Sequence, residues 1–194
     1  MHNHRIAVAV IAVVLLAGCS GAAPLPTPDA EPTAAPDGTV DGTSWNVTVT
    51  HVVDGDTVDI RYANGSTDTV RLLGVDTPET PPNTVSPDEF EGIPDTDAGR
   101  DHLIAWGKRA TDFAERELAG EDVRLVADPE ADRRGGYGRL LAYIYVDGEN
   151  FNKQLLAEGY ARLYDSPFTR RDEFAATEAT ARESNVGLWG FDDQ

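Results

Sequence analysis

Two hydrophobic periodicities divide most of the chain after residue 44 into strands and helices. Apolar and polar residues alternate over 45–49, and a period of two returns over 58–62 and 70–75. Alternation of this kind predicts half-buried β-strands. The dipeptide Asn64-Gly65 lies between the second and third runs and favours a tight hairpin turn. The start of the folded region is therefore predicted to contain three strands, the last two joined by a hairpin.

Farther along the chain the spacing of apolar residues changes to three and four. This spacing predicts a long helix over 98–119, a short helix over 151–158 and a last helix over 169–183. A fourth strand is predicted over 123–127 and a fifth over 140–146. Five short strands with a long helix between the third and fourth favour a mainly β fold with α: a five-stranded OB-fold Greek-key barrel plus three helices. Periodicity alone leaves other α+β arrangements open.

The N-terminal residues have the pattern of a signal peptide over 1–18. The apolar run from Ile6 to Ala17 is too short to span a bilayer comfortably. It ends in Leu-Ala-Gly-Cys, which resembles the lipobox of secreted lipoproteins, with Cys19 as the lipid-attachment residue. A plain signal peptide or an uncleaved anchor is the alternative. The expected location is extracellular, anchored to the cell membrane by the lipid, or secreted.

Residues 19–42 predict a disordered linker, and residues 43–194 form the predicted folded domain. Prolines recur in the linker among small and polar residues, and large apolar side chains are almost absent. A second Pro-rich stretch at 80–96 contains several acids and is expected to be a mobile surface loop.

Composition restricts the chemistry. The chain of 194 residues has 34 acidic and 16 basic residues, for a net charge of −18. Such an excess keeps a protein soluble and disfavours nonspecific binding to polyanions; it resembles the composition of proteins from salt-loving organisms. Cys19 is the single cysteine, which excludes an intramolecular disulfide and a cysteine cluster for zinc.

Acidic residues gather at two predicted turns. Asp54 and Asp56 flank a glycine, and Asp76 and Glu79 follow the third strand, which also contains Arg71. Hard oxygen ligands beside a guanidinium suit metal-assisted chemistry on a phosphate. Each group taken alone is also compatible with an ordinary turn. An EF-hand is excluded, because the stretch that starts at Asp54 lacks a glycine at its sixth position and a glutamate at its twelfth.

Five motifs together resemble the staphylococcal nuclease (thermonuclease) family. They are VVDGDTVDI, VRLLGVDTPE, YGRLLAYIYVDG, LLAEGYARL and GLWGFDDQ, and they occur in that family's order over roughly residues 45–191. The resemblance implies an OB-fold barrel. It also implies a calcium site formed by the carboxylates of Asp56 and Asp76 and the backbone carbonyl of Thr77. Asp54 then lies just outside the metal ligands, and Glu79 resembles the residue that orients or deprotonates the attacking water.

The same resemblance assigns residues to the substrate. Arg71 and Arg139 resemble the two arginines that grip the scissile phosphate, and Tyr137 resembles a tyrosine that contacts a terminal phosphate. Tyr164 is the nearest match to the tyrosine that stacks on the base. Gly136 departs from the pattern, because the staphylococcal protein has a lysine there.

The resemblance implies a calcium-dependent endonuclease, a monomer that hydrolyses DNA and, as a further candidate substrate, RNA, leaving 3′-phosphate ends. The net charge opposes a nucleic-acid partner. Basic residues at 133, 134 and 139, a bound calcium ion and salt screening all reduce that opposition. The alternative is a non-catalytic OB-fold module that binds nucleic acid or a protein at the cell surface.

Overall fold

The computed structural model describes residues 43–192. Cys19, the predicted signal peptide and the predicted linker lie outside these residues. Within them no helix is both long enough and apolar enough to cross a membrane.

Five strands close into a barrel, as the sequence predicts. The strands of the barrel are β1 (Ser44–Asp54), β2 (Thr57–Tyr62), β3 (Thr67–Leu72), β5 (Asp122–Val126) and β6 (Leu140–Val146). They follow the order β3-β2-β1-β5-β6, and a parallel pairing between β3 and β6 closes the barrel. Neighbouring strands are otherwise antiparallel.

The remaining elements extend the barrel. Two very short strands, β4 (Val75–Asp76) and β8 (Arg162–Leu163), form a separate antiparallel pair, and β7 (Glu149–Asn150) pairs with β6. The helices are α1 (Asp97–Leu118), α2 (Phe151–Ala157) and α3 (Arg171–Glu183), and single 3₁₀ turns cover Pro87–Glu89 and Gly187–Trp189. The predicted set of five barrel strands and three helices is thus confirmed.

The third strand differs from its prediction. A continuous strand over 70–75 is wrong, because β3 ends at Leu72 and the chain turns before β4 starts. Gly74 has a φ of +78°, and a Cβ at this position would lie 2.6 Å from the ring of Phe168. Only glycine accepts this backbone conformation without strain. The turn separates Arg71, which stays in the barrel, from Asp76, which lies in the two-stranded pair.

The alternating pattern places apolar side chains inside the barrel because successive side chains of a strand point to opposite faces. Val49, Ile60, Val70, Leu125 and Ile144 are all fully buried there.

A polar side chain completes the wall of the barrel. The amide of Asn152 donates to the carbonyls of Leu73 and Ala142 and accepts from the N–H of Ile144. This fully buried side chain supplies hydrogen bonds to the backbone where β3 has ended.

The segment 80–96 is not entirely a surface loop. Phe90 and Ile93 are buried in a second apolar cluster with Leu103 of α1 and with Leu188 and Trp189 near the C-terminus. Charged residues attach the same segment to other elements, as the ion pair between Glu91 and Arg182 of α3 shows. The expectation of a surface loop is therefore wrong at Phe90 and Ile93. The surrounding prolines and acids are typical of an exposed loop, so the sequence pattern does not indicate that these two apolar residues are buried.

Candidate active site

The first acidic turn lies between β1 and β2 and packs against α1. Asp54 ends β1 and Asp56 precedes β2. A Cβ on Gly55, between them, would lie 2.7 Å from the Cβ of Ala110 and 2.8 Å from the side chain of Thr77. The glycine therefore permits a close approach between this turn, the helix and the second acidic segment.

Asp56 is the most enclosed of the candidate carboxylates, with 4% of the residue exposed. Its Oδ2 accepts hydrogen bonds from the backbone N–H and the hydroxyl of Thr77, at 2.7 and 3.0 Å. Its Oδ1 lies 2.8 Å from Nη1 of Arg71 and accepts from the hydroxyl of Thr57 at 3.2 Å. A buried carboxylate needs such donors to stay charged.

Arg71 joins the two acidic turns. Its Nη1 lies 2.8 Å from Asp56 and also donates to the carbonyl of Val75, while its Nη2 lies 2.6 Å from Oδ1 of Asp76. Val70 and Leu72, its neighbours in β3, face the core, so Arg71 projects from the opposite face as the alternation predicts. A single guanidinium thus holds two carboxylates that are far apart along the chain.

Asp76 also has a second arginine. Its Oδ2 lies 2.7 Å from Nη2 of Arg162, which is 3.1 Å from Glu89 as well. Arg162 stands directly opposite Asp76 in the antiparallel pairing of β4 with β8. Hydrophobic periodicity does not identify Arg162, because a two-residue strand is too short to show a period.

Burial changes the acidity of two of these carboxyls. Burial, together with the charge of Asp56, raises the pKa of Asp54 to about 7. The pKa of Asp76 is also raised, first by burial and then by the charge of Asp56, against the opposing effect of Arg71 and Arg162. Closely packed carboxylates in a low-dielectric site disfavour full ionisation of the cluster.

Arg139, which immediately precedes β6, reaches the same region. Closure of the barrel pairs β3 with β6 in parallel, and Thr57 of β2 pairs with Arg71 of β3. Nη1 of Arg139 donates to the Thr57 hydroxyl at 3.2 Å, and that hydroxyl donates to Asp56. Thr57 therefore lies between the two predicted phosphate-binding arginines, as only the closed barrel allows.

Glu79 lines a cleft beside this cluster. The cleft, of about 260 Å³, is also lined by Asp54, Asp56 and Thr77. The side-chain amide of Asn83 donates to Oε2 of Glu79 at 2.8 Å. Asn83 belongs to the segment 80–96 and was not identified from sequence, although its position four residues after a candidate acid was a usable signal.

The two tyrosines are placed differently. Tyr137 is 90% exposed, and the guanidinium of Arg139 lies 5.6 Å from the centre of its ring. Tyr164 is about half exposed and follows β8, where its backbone N–H donates to the carbonyl of Gly74. The structure thus associates Tyr137 with Arg139, while the described contacts of Tyr164 attach only its backbone to this end of the barrel.

Cation-binding capacity depends on the donor set. Within residues 43–192, no three or more His, Cys, Asp and Glu side chains form a group that could hold a metal ion. Two carboxylates, of Asp56 and Asp76, nevertheless converge on one guanidinium, with the backbone of Thr77 beside them. Hard oxygen donors of this kind fit a calcium ion that keeps several water ligands.

A larger concavity lies elsewhere on the barrel. It has a volume of about 640 Å³, includes Arg61, Arg124 and Tyr145 in its lining, and shares no lining residue with the acidic cleft. Its lining also includes Asp122 and Asp147, but none of the predicted site residues.

Comparison with known proteins identifies relatives that match about three quarters of the chain. The family model described as "Staphylococcal nuclease homologue" matches residues 69–190. An uncharacterised protein of Methanocaldococcus jannaschii is 45% identical over 150 residues, which covers 74% of this chain and 70% of that protein.

Two relatives carry functional names. A protein of Bacillus subtilis named endonuclease YncB is 37% identical over 148 residues, 74% of this chain and 61% of the relative. A thermonuclease of Staphylococcus hyicus is 34% identical over 145 residues, 73% of each chain. The family-model match begins at residue 69, so it contains the second acidic turn, Arg71 and Arg139 but not Asp54 or Asp56.

Proposed function

Since the chain belongs to the staphylococcal nuclease family, we propose that it is a calcium-dependent endonuclease. Its substrate is DNA, with RNA as a further candidate, and cleavage leaves 3′-phosphate ends. The proposal rests on two contacts. Arg71 lies between Asp56 and Asp76, and Arg139 donates to the hydroxyl of Thr57, the residue next to Asp56. The two arginines complement the negative charge of a phosphodiester, and the convergent carboxylates complement the positive charge of a divalent cation.

Asp56, Asp76 and the carbonyl of Thr77 would hold the calcium ion. When bound, calcium supplies positive charge that polarises a phosphoryl oxygen and lowers the cost of charge accumulating at phosphorus. The burial of Asp56 and its hydrogen bonds from Thr77 support this assignment, because they fix one ligand before any cation arrives. Asp54, whose carboxylate accepts from the N–H of Asp56, supports the turn that presents this ligand.

Arg71 and Arg139 bind the phosphate in this proposal. A guanidinium donates paired hydrogen bonds to two phosphoryl oxygens and remains charged at any physiological pH. Arg71 is held by carboxylates, whereas the described contacts of the Arg139 guanidinium are a single neutral hydroxyl and a tyrosine ring. Arg139 is therefore the more available of the two for an incoming phosphate.

Glu79 orients or deprotonates the attacking water. Its carboxylate lines the cleft with Asp56 and Thr77, and the amide of Asn83 limits its rotation. Attack at phosphorus from this side expels the 5′-oxygen and leaves the phosphate on the 3′-oxygen. Tyr137, beside Arg139 and almost fully exposed, contacts a terminal phosphate of the substrate, and Tyr164 is assigned to base stacking.

The net charge of −18 requires that recognition be concentrated at the site. Salt shortens the range of repulsion between the acidic surface and the phosphate backbone, to about 3 Å at 1 M salt. Contacts at hydrogen-bond distance are affected less than long-range repulsion. Activity is therefore expected to tolerate salt better than activity that depends on a basic surface.

The cellular location is proposed from residues 1–42 alone. A lipid on Cys19 would hold the catalytic domain outside the cell membrane on the Pro-rich linker, as a monomer. Globomycin-sensitive processing or mass spectrometry of the native N-terminus would test the lipid directly. An unmodified Cys19 in the mature protein would contradict this part of the proposal.

Calcium-dependent cleavage decides the function. Full-length protein is incubated with single-stranded and duplex DNA, with calcium or with EGTA, over a range of salt concentrations. Cleavage only with calcium is expected, and end-labelling after phosphatase treatment should identify 3′-phosphates. Binding without cleavage at every salt concentration would instead support the non-catalytic OB-fold module.

A further inference from the structure

We propose that Arg162 is a positioning residue that holds the carboxylate of Asp76 in the orientation a cation requires. This inference rests on the proposed function, because it concerns one of the proposed calcium ligands. Arg162 acts through Asp76, so it is a positioning residue and not a catalytic residue.

The backbone fixes the relationship between the two residues. Asp76 and Arg162 are cross-strand partners in the β4–β8 pair, with Val75 opposite Leu163 as the only other pair in that ladder. Directly opposed residues of an antiparallel pair have neighbouring Cβ atoms, so the backbone already places their side chains within contact distance. Both side chains are largely buried, with 18% and 19% exposed.

Arg71 and Arg162 engage different oxygens of Asp76. Arg71 lies 2.6 Å from Oδ1, and Arg162 lies 2.7 Å from Oδ2. Arg71 is also assigned to the phosphate, so its contact with Asp76 competes with substrate. Arg162 has no such assignment and can hold Asp76 throughout the reaction.

Arg162 is itself held from the other side. Its Nη2 lies 3.1 Å from Glu89, and its guanidinium lies 5.4 Å from the ring centre of Phe90, which is buried in the second apolar cluster. The segment 80–96 thus contacts Arg162, which in turn contacts Asp76. A charged group with two carboxylate partners and an aromatic neighbour loses little further freedom when Asp76 binds a cation.

Two effects of Arg162 on a cation have opposite signs. Its positive charge near Asp76 repels a calcium ion, which weakens binding. Its hydrogen bond keeps the carboxylate oriented, which strengthens binding, and loss of such partners of a metal ligand commonly costs about 10–100-fold in affinity. We assign the larger effect to orientation, because the strand register places the guanidinium against the carboxylate and Glu89 offsets part of its positive charge.

The experiment measures calcium binding to the full-length protein by isothermal titration calorimetry, without DNA. Arg162→Met removes the charge and the hydrogen bonds while keeping a long side chain, and we expect its calcium Kd to rise about tenfold. Arg162→Lys keeps one charged donor and should restore most of the lost affinity. If Arg162→Met does not fold, as judged by circular dichroism, Arg162→Gln replaces it and should also bind calcium more weakly than wild type.

Arg182→Met is the matched control. Arg182 pairs with Glu91 of the same segment at 2.8 Å and lies against the Trp189 ring, but its described contacts do not include Asp76. We expect its calcium affinity to equal that of wild type. An equal loss in both variants would mean that the arginines merely anchor the segment, and it would overturn the inference.

Activity gives a second reading. At limiting calcium, Arg162→Met should lower kcat with little change in the KM for DNA, and excess calcium should recover most of kcat. Unchanged or tighter calcium binding in folded Arg162→Met would sink the inference while wild-type activity leaves the proposed function intact. Wild-type protein that binds no calcium would remove both.

Discussion

Thr77 donates two hydrogen bonds to one oxygen of Asp56, from its backbone N–H at 2.7 Å and from its hydroxyl at 3.0 Å. The two residues come from different acidic turns, and both are buried. This contact fixes the second turn against the first. It determines the spacing of the proposed calcium ligands before any cation is present.

Removal of the Thr77 hydroxyl tests this contact. Thr77→Val keeps the shape and the backbone donor, but leaves a buried carboxylate with one donor fewer. We expect a loss of about 1.5–3 kcal/mol in the free energy of unfolding, as for a hydrogen bond to a charged group. Urea denaturation followed by circular dichroism measures this loss.

Thr48→Val is the matched control, because the hydroxyl of Thr48 donates to Asp122 at an exposed site. Its cost should stay below about 0.5 kcal/mol, as for most surface substitutions. Equal losses in the two variants would show that burial of the Asp56 contact contributes nothing.

Arg139 offers a cleaner test of phosphate binding than Arg71. Arg71 links Asp56, Asp76 and the carbonyl of Val75, so its removal also disturbs the fold of the site. Arg139→Lys keeps the charge but loses the planar pair of donors. We expect kcat on DNA to fall about 100-fold, the usual cost of one missing donor to the transition state, with an unchanged unfolding midpoint.

Arg124→Lys serves as the control for Arg139, since Arg124 lies in the larger concavity and stacks on Tyr145. Its kcat should match wild type. Normal cleavage by Arg139→Lys would mean that this guanidinium does not bind the scissile phosphate.

Glu79→Gln tests the proposed water-orienting carboxylate. Glutamine preserves size and hydrogen bonding but is not a base, so kcat should fall by about 10²–10⁴. Asn83→Ala removes the amide that donates to Glu79 and should lower kcat by a smaller factor. A wild-type rate in Glu79→Gln, measured at saturating calcium and DNA, would transfer the role to another group.

Asp128 predicts a specific loss of stability in acid. Its buried carboxylate accepts from the hydroxyls of Tyr143 and Thr169 and from the N–H groups of Glu130 and Thr169. Burial alone would raise the pKa of Asp128, but these hydrogen bonds hold it below its usual value of 3.8. The network therefore stabilises the fold above that value, and the stabilisation is lost as the pH falls through the lower folded-state pKa.

Urea midpoints measured from neutral to acidic pH would test this sign. Asp128→Asn should be less stable than wild type at neutral pH and should lose less stability on acidification. Asp165→Asn, which alters an exposed ion pair with Arg171, should follow the wild-type pH dependence. Parallel curves for wild type and Asp128→Asn would contradict the assignment.

Much of the fold and of the site could be predicted from sequence, because the relevant signals are local. Alternation marked the barrel strands, and Asn64-Gly65 marked a hairpin in which Gly65 has a φ of +87°. The acids of the two turns were also visible, since each group is contiguous in the chain. Local patterns of this kind need no knowledge of which strand pairs with which.

The segment 80–96 shows where local signals fail. Its prolines and acids are typical of an exposed loop, yet Phe90 and Ile93 are buried against Leu188 and Trp189. Hydrophobic periodicity does not predict this contact, because Leu188 and Trp189 lie at the other end of the chain. The same packing places Asn83 beside Glu79 and Glu89 beside Arg162.

By itself the sequence determined the barrel strands, the helices, both acidic turns and the family to which the chain belongs. Tertiary structure alone decided that Arg71 spans Asp56 and Asp76, that Thr57 lies between the two site arginines, and that Arg162 faces Asp76. The physical reason is range. Periodicity reports how each segment divides between core and solvent, whereas these contacts depend on barrel closure and on a two-residue strand pairing between distant parts of the chain.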